Sequence, residues 1–161
     1  MDYVIRTAKR EDLPRIEEIY AYARQFMAET GNPNQWGKTN PPLSQLEKDI
    51  QEGNLYVAET DGTIHGVFAF LLGQDPTYRE ILGSWGSDAP YGTIHRIASD
   101  GSGGIFHACV VFCSGIIPYL RVDTHEKNNP MQRAILREGF LRRGIIHIAD
   151  GTPRIAYDRL P

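Results

Sequence analysis

The run from Thr93 to Phe140, TIHRIASDGSGGIF…LRVDTHEKNNPMQRAILREGF, gathers most of the residues able to do chemistry. It reads as strand, glycine-rich turn, helix, strand and capped helix. Gly101, Gly103 and Gly104 allow close backbone approach, and a helix starting after them offers unsatisfied N–H groups and its positive end to an anion. Phosphate is the ligand such a turn suits. The fingerprint G-x-G-x-x-G is absent, because Ile105, Phe106 and His107 follow Gly104, and the Walker lysine is missing. Neither a dinucleotide fold nor a P-loop is favoured.

Five histidines offer acid–base or metal chemistry, but no H-x-x-x-H or H-E-x-x-H pair occurs. Cys109 and Cys113 have no second cysteine pair to complete a zinc site, so no metal is expected. Lying four apart in one apolar segment, they read as reduced core thiols. His65 and His147 sit in apolar strand patterns and read as packing residues. Trp36, Tyr78, Trp85 and Tyr91 lie in turn-rich segments, where aromatics line an acceptor pocket or pack the loops themselves.

These residues need a frame. At 161 residues, 41% hydrophobic and 23% charged, the chain fits one globular domain over residues 1–161. A net charge of −3 gives no electrostatic reason to bind nucleic acid or an acidic membrane, and neither is expected as a partner. The N-terminal MDYVIRTAKREDL holds no long apolar run, which makes a cytoplasmic location the default expectation.

Residues 3–7 read as a strand, and Leu13, Ile16, Ile19, Tyr20 and Ala23 recur at helical spacing up to Gly31. An irregular loop carrying Trp36 leads to a short helix near Leu43 to Ile50. LYVAET and TIHGVFAFLL flank Asp61-Gly62, a hairpin signal. Residues 74–92 read as a covering loop, Thr93 to Ser99 as a strand, Gly104 to about Ile117 as a buried helix, and LRVDT as a short buried strand. Asn129-Pro130 reads as the start of a helix ending at Gly139, and a second hairpin turns at Asp150-Gly151. The order β-α-α-β-β-β-α-β-α-β-β predicts an α/β fold of α+β type: a mixed, mainly antiparallel sheet flanked by helices.

On this element order and on the motifs at 93–104 and 128–140, the chain resembles the GNAT superfamily of acyl-CoA-dependent N-acetyltransferases. The resemblance implies acetyl-CoA as cofactor, with CoA as product. Its pyrophosphate would lie on the turn Asp100 to Gly104, giving cofactor roles to Gly101, Ser102, Gly103, Gly104 and Ile105. The pantetheine arm would add to the strand edge at Arg96, Ile97, Ala98 and Ser99, and Asn128 would hydrogen-bond to it. The family's arginine or glutamine before the first glycine is Ala98 here, and Asp100 places a negative charge beside the phosphates.

Acetyl transfer needs a neutral amine, a polarised thioester carbonyl and a proton for the departing thiolate. The family's tyrosine acid falls at Ile135, which cannot donate. His95 is the candidate catalytic base or relay, since Thr93, His95 and Ile97 share one face of the strand approaching the cofactor. Trp36, Tyr78, Trp85, Tyr91 and His125 are the candidate acceptor pocket. The resulting expectation is direct attack by a small-molecule or peptide amine in a ternary complex; a homodimer is left open. The alternative is a catalytically inactive acyl-CoA-binding or regulatory module.

Overall fold

The computed structural model describes residues 2–161. Strand β1 (Val4–Thr7) and helix α1 (Leu13–Glu29) are followed by α2 (Leu43–Gln51) and the hairpin of β2 (Leu55–Thr60) and β3 (Thr63–Leu72). Asp61 and Gly62 both take positive φ, 52° and 78°, as a two-residue turn matching the twist of its strands requires. Then come β4 (Leu82–Gly83), β5 (Gly92–Ser99), α3 (Ile105–Ile116), β6 (Leu120–Thr124), α4 (Asn129–Arg137), β7 (Leu141–His147) and β8 (Pro153–Arg159).

The eight strands form one sheet in the order β1-β2-β3-β5-β6-β8-β7-β4. Every pairing is antiparallel except β5 with β6, where α3 supplies the crossover. The mixed, mainly antiparallel expectation holds. The added strand β4 lies inside the segment read as a covering loop. It is two residues long, too short for any periodicity, and pairs with Gly144 and Ile145.

Alternate strand residues feed opposite cores. Val57, Val67 and Ala69 pack with Ile16, Ile19 and Tyr20 of α1 and Leu46 of α2. On the other face, Phe68, Phe70 and Ile94 pack with Cys109, Val110 and Cys113 of α3 and Ile135 of α4. The cysteine sulfurs lie 4.0 Å apart, buried and unbridged, as expected of core thiols. A third cluster, Tyr78, Tyr91, Tyr119, Ile146 and Ala156, seals the β6–β8 half beneath residues 74–92.

Helix α3 starts hard against the sheet. A Cβ on Gly66 of β3 would meet the Ile105 side chain at 2.6 Å, so glycine there lets the helix N-terminus settle directly onto the strand. Helix α4 is capped by Asn128, whose side chain accepts from the Met131 N–H at 3.2 Å, rather than by Asn129. Asn129 is instead the first helical residue, with Pro130 behind it.

Candidate functional site

Strands β5 and β6 pair only at Gly92–Leu120 and Thr93–Arg121, then separate. Beyond Thr93 the β5 edge that faces β6 has no strand partner, and the gap opens into a cleft of about 620 Å³. Its walls come from both faces of the sheet. Ile105 and Phe106 of α3 with Met131 and Ala134 of α4 line one side; Tyr22 and Phe26 of α1 with Gln35 and Trp36 of the following loop line the other. A passage through the sheet, flanked by unsatisfied strand backbone, is shaped for an extended ligand that adds to β5 as a short strand.

A bulge sits in the middle of this wall. Val67 pairs with Ala98 and Ala69 with His95, so Arg96 and Ile97 together oppose Phe68 alone. Arg96 takes a left-handed φ of 53°, which costs a non-glycine residue about 1–2 kcal/mol. Two contacts hold it there. The Tyr20 hydroxyl donates to the Arg96 carbonyl at 2.6 Å, and the Arg96 guanidinium grips the buried Asp49 of α2 through Nε at 2.9 Å and Nη2 at 3.0 Å. Burial pushes the Tyr20 phenol up, which keeps it a donor.

The glycine turn follows β5. Gly104 takes φ 82° immediately before α3, and Gly101 and Ile105 line the cleft, while Tyr3 donates to the Gly103 carbonyl at 2.7 Å. Asp100 does not point its charge at this space unopposed. Its Oδ2 is 2.8 Å from Arg15 Nη2 and 2.8 Å from His65 Nδ1, and Oδ1 accepts from the Ser102 N–H at 3.0 Å. Although burial raises its pKa, the bonds from Ser102 and His65 outweigh it and leave the carboxyl below its ordinary value. His65, read from sequence as packing, is thus half-buried and bonded to Asp100; an apolar strand pattern hid a polar partner 35 residues away.

His95 lines the cleft, with Nε2 at 2.8 Å from Asp75 Oδ2. Burial opposes ionisation of Asp75, but His95 and Thr77 donate to it and bring its pKa down to about 2. The imidazole is therefore oriented by a fixed carboxylate, and with the proton on Nε2 its Nδ1 lone pair is available as a base. Beside it, Asp123 also lines the cleft and accepts from the buried Tyr78 hydroxyl at 2.7 Å. Burial, then the Asp123 charge, pushes the Tyr78 phenol well up, so this hydroxyl anchors Asp123 rather than supplying protons.

Of the residues assigned to the cofactor from sequence, Arg96, Ile97, Ala98, Ser99, Gly101, Ile105 and Asn128 line the cleft; Ser102, Gly103 and Gly104 lie in the turn at its margin. Asn128 has other duties as well, capping α4 and donating to Gln35 Oε1 at 3.0 Å. Ile135 is fully buried in the core; the cleft-facing residues of α4 are Pro130, Met131 and Ala134, none a proton donor.

The aromatic set divides. Trp36 lines the cleft, edge-on to Tyr20. Trp85 and Tyr91 are not part of that lining: they clasp the Arg121 guanidinium, 4.0 and 3.9 Å from the ring centroids, under the covering loop. Tyr78 and His125 are buried, and His125 accepts from the Lys127 N–H at 3.0 Å. Asp75 and Arg154 were missed from sequence. Asp75 carried one usable signal, an Asx-type cap before Pro76.

Comparison with solved structures places this geometry. An acetyltransferase of the GNAT family from Streptococcus agalactiae superposes with TM-score 0.89 and 29% identity, covering 99% of this chain and 95% of its own. A putative acetyltransferase from Staphylococcus aureus has TM-score 0.72 at 22% identity, covering 98% of each chain. A GNAT superfamily phosphinothricin acetyltransferase from Sinorhizobium meliloti, in complex with AcCoA, has TM-score 0.65 at 18% identity, covering 99% of this chain and 88% of its own. No family model and no curated protein matches the chain. The chain has the GNAT fold from end to end, and the resemblance read from its sequence is borne out.

Proposed function

We propose that this protein is an acyl-CoA-dependent N-acetyltransferase that moves an acetyl group from acetyl-CoA to an amine within a ternary complex. The observation that carries the reading is the parting of β5 from β6 after two residue pairs, with the Arg96 bulge in the strand whose edge is left unpaired. The fit to the cofactor rests on this chain's own features: an unpaired strand edge for the amides of a pantetheine arm, and a glycine turn with α3 behind it for a pyrophosphate. Asp100, the one adverse charge, is already engaged by Arg15 and His65.

Bound there, acetyl-CoA would supply an activated acyl group as a thioester. The bulged backbone at Arg96 and Ile97 would offer N–H polarisation to an acyl oxygen, held rigid by Tyr20 and Asp49. His95, oriented by Asp75, would take the proton that an incoming ammonium must lose before it can attack. Trp36 and the α1–α2 loop would exclude bulk water from the acceptor side.

The neighbours named above as acetyltransferases support acetyl transfer in general. The buried Ile135 favours a second reading, an acyl-CoA-binding module without turnover, since a tyrosine acid is missing from that position. Acetyl-CoA should raise the melting temperature, because a ligand that selects the folded state stabilises it. CoA thiol release across an amine panel then separates the readings: release supports the enzyme, binding without release supports the module, and no shift at millimolar acetyl-CoA sinks both.

A further inference from the structure

Arg154 projects from β8 with 5% exposure, yet lines the cleft. Its hydrogen bonds go to two carbonyl oxygens, that of Pro153 at 3.0 Å and, at 3.4 Å, that of Gln35. Among the described residues it makes no ion pair, and its Nε–H has no partner. A buried guanidinium without a carboxylate is costly, and such groups are ordinarily paired. The other buried arginine of this half, Arg121, likewise makes no ion pair among the described residues, but three aromatic rings, Trp85, Tyr91 and Tyr119, enclose its charge and Ser87 and Tyr119 bond it, a shelter that Arg154 lacks.

The position of Arg154 says which ligand would pair with it. β8 places it opposite Ile146, with Gln35, Trp36 and Ile148 as other walls of the cleft. The glycine turn where a pyrophosphate would lie follows β5, across the gap between β5 and β6 from the strand that carries Arg154. Asp123 faces the same space, two places along on the neighbouring strand, since it pairs with Ala156. The acceptor side therefore presents a carboxylate and an unpaired guanidinium together. A phosphate dianion would meet repulsion from Asp123, whereas a zwitterion has an ammonium for Asp123 and a carboxylate for Arg154.

We infer that the acceptor is a free amino acid or a close analogue, whose carboxylate docks on Arg154 while its amine lies toward Asp123 and His95. This rests on the acetyltransfer reading and names its substrate class. The fork of the guanidinium suits two-point binding of a carboxylate, which fixes the direction in which the amine points. Burial, opposed by Asp123 and Asp150, already disfavours the Arg154 charge, and that charge in turn adds to burial in lowering the His125 pKa, so an anion there relieves both.

The test measures CoA thiol release with the common amino acids and with their carboxamides, for the intact chain and for Arg154→Gln and Arg154→Lys. The expected result is an acid-over-amide preference of about a hundredfold in kcat/KM, reduced to a few-fold in R154Q and partly restored in R154K. The melting-temperature shift with acetyl-CoA should be the same in all three proteins, which also verifies that the variants fold. Should R154Q fail to fold, R154K against the intact chain carries the comparison, with a smaller preference expected. Equal turnover of acid and amide, an unchanged preference in the variants, or turnover of neither while acetyl-CoA binds overturns the inference. Failure of acetyl-CoA to bind overturns the acetyltransfer reading instead.

Discussion

Asp49 on α2 and Arg96 in the β5 bulge form a two-bonded ion pair, and the pair fastens a strained strand residue to a helix 47 residues earlier. The carboxylate is almost wholly buried while the guanidinium keeps one edge toward the cleft. The geometry of the candidate thioester site is thereby set from outside the strand that forms it.

Arg96→Ala should consequently do more than remove a side chain. It leaves Asp49 buried without its partner, a loss of about 3–5 kcal/mol in such settings. Asp49→Asn in the same chain should recover part of it. Urea unfolding of the two single variants and the double variant forms the cycle, and strict additivity would show that the pair does not act as a unit.

His95→Gln should lower kcat by about a hundredfold with little change in acetyl-CoA affinity, because a relay acts in the chemical step. Stopped-time assays over a pH series, with calorimetry for the cofactor, separate the two quantities. A variant with an unaltered pH profile would make His95 a structural residue.

Asp75 predicts an acid limb. Its pKa is held at about 2, below the ordinary 3.8, so its contribution to stability is complete above pH 3.8 and is lost as pH falls through 2. By linkage this amounts to about 2 kcal/mol. Asp75→Asn should be less stable than the parent by roughly that much at neutral pH, with the two unfolding curves converging toward pH 2. A stability gap that stays constant down to pH 2 would contradict the assignment.

Two glycines of the turn should behave differently. A Cβ at Gly103 meets nothing within 4 Å and its φ is not positive, so Gly103→Val should keep the melting temperature while obstructing the phosphate turn. At Gly101 the φ is 95° and a Cβ would come within 2.7 Å of the Tyr22 hydroxyl oxygen, so Gly101→Val should also lose stability, by about 1–2 kcal/mol. Thermal melts with and without acetyl-CoA decide this, and equal melting temperatures for the two variants would refute the distinction.

Element order was legible because α1 repeats apolar residues at helical spacing, β2 and β3 are apolar runs on either side of a turn, and both hairpins carry Asp-Gly turns. The glycine turn was legible for the same local reason. The Arg96 bulge was not: an arginine gives no sign of left-handed φ, and the forces that impose it come from Tyr20 and Asp49, remote in sequence. Trp85 and Tyr91 were read toward the acceptor because their partner, Arg121, lay hidden in a segment read only as a buried strand. Arg154 alternates with Ile155 in the strand pattern, which by itself cannot tell a solvated face from a buried cleft.

Two backbone pairs are all that stitch β5 to β6, so the sheet is two panels meeting at a narrow seam. Whatever fills the wedge completes the span as a keystone does an arch, and stiffness becomes a property of the occupied molecule rather than of the chain alone. Amide hydrogen exchange along Ile94–Ser99 would register that change directly, residue by residue, as the unpaired strand edge gains a partner.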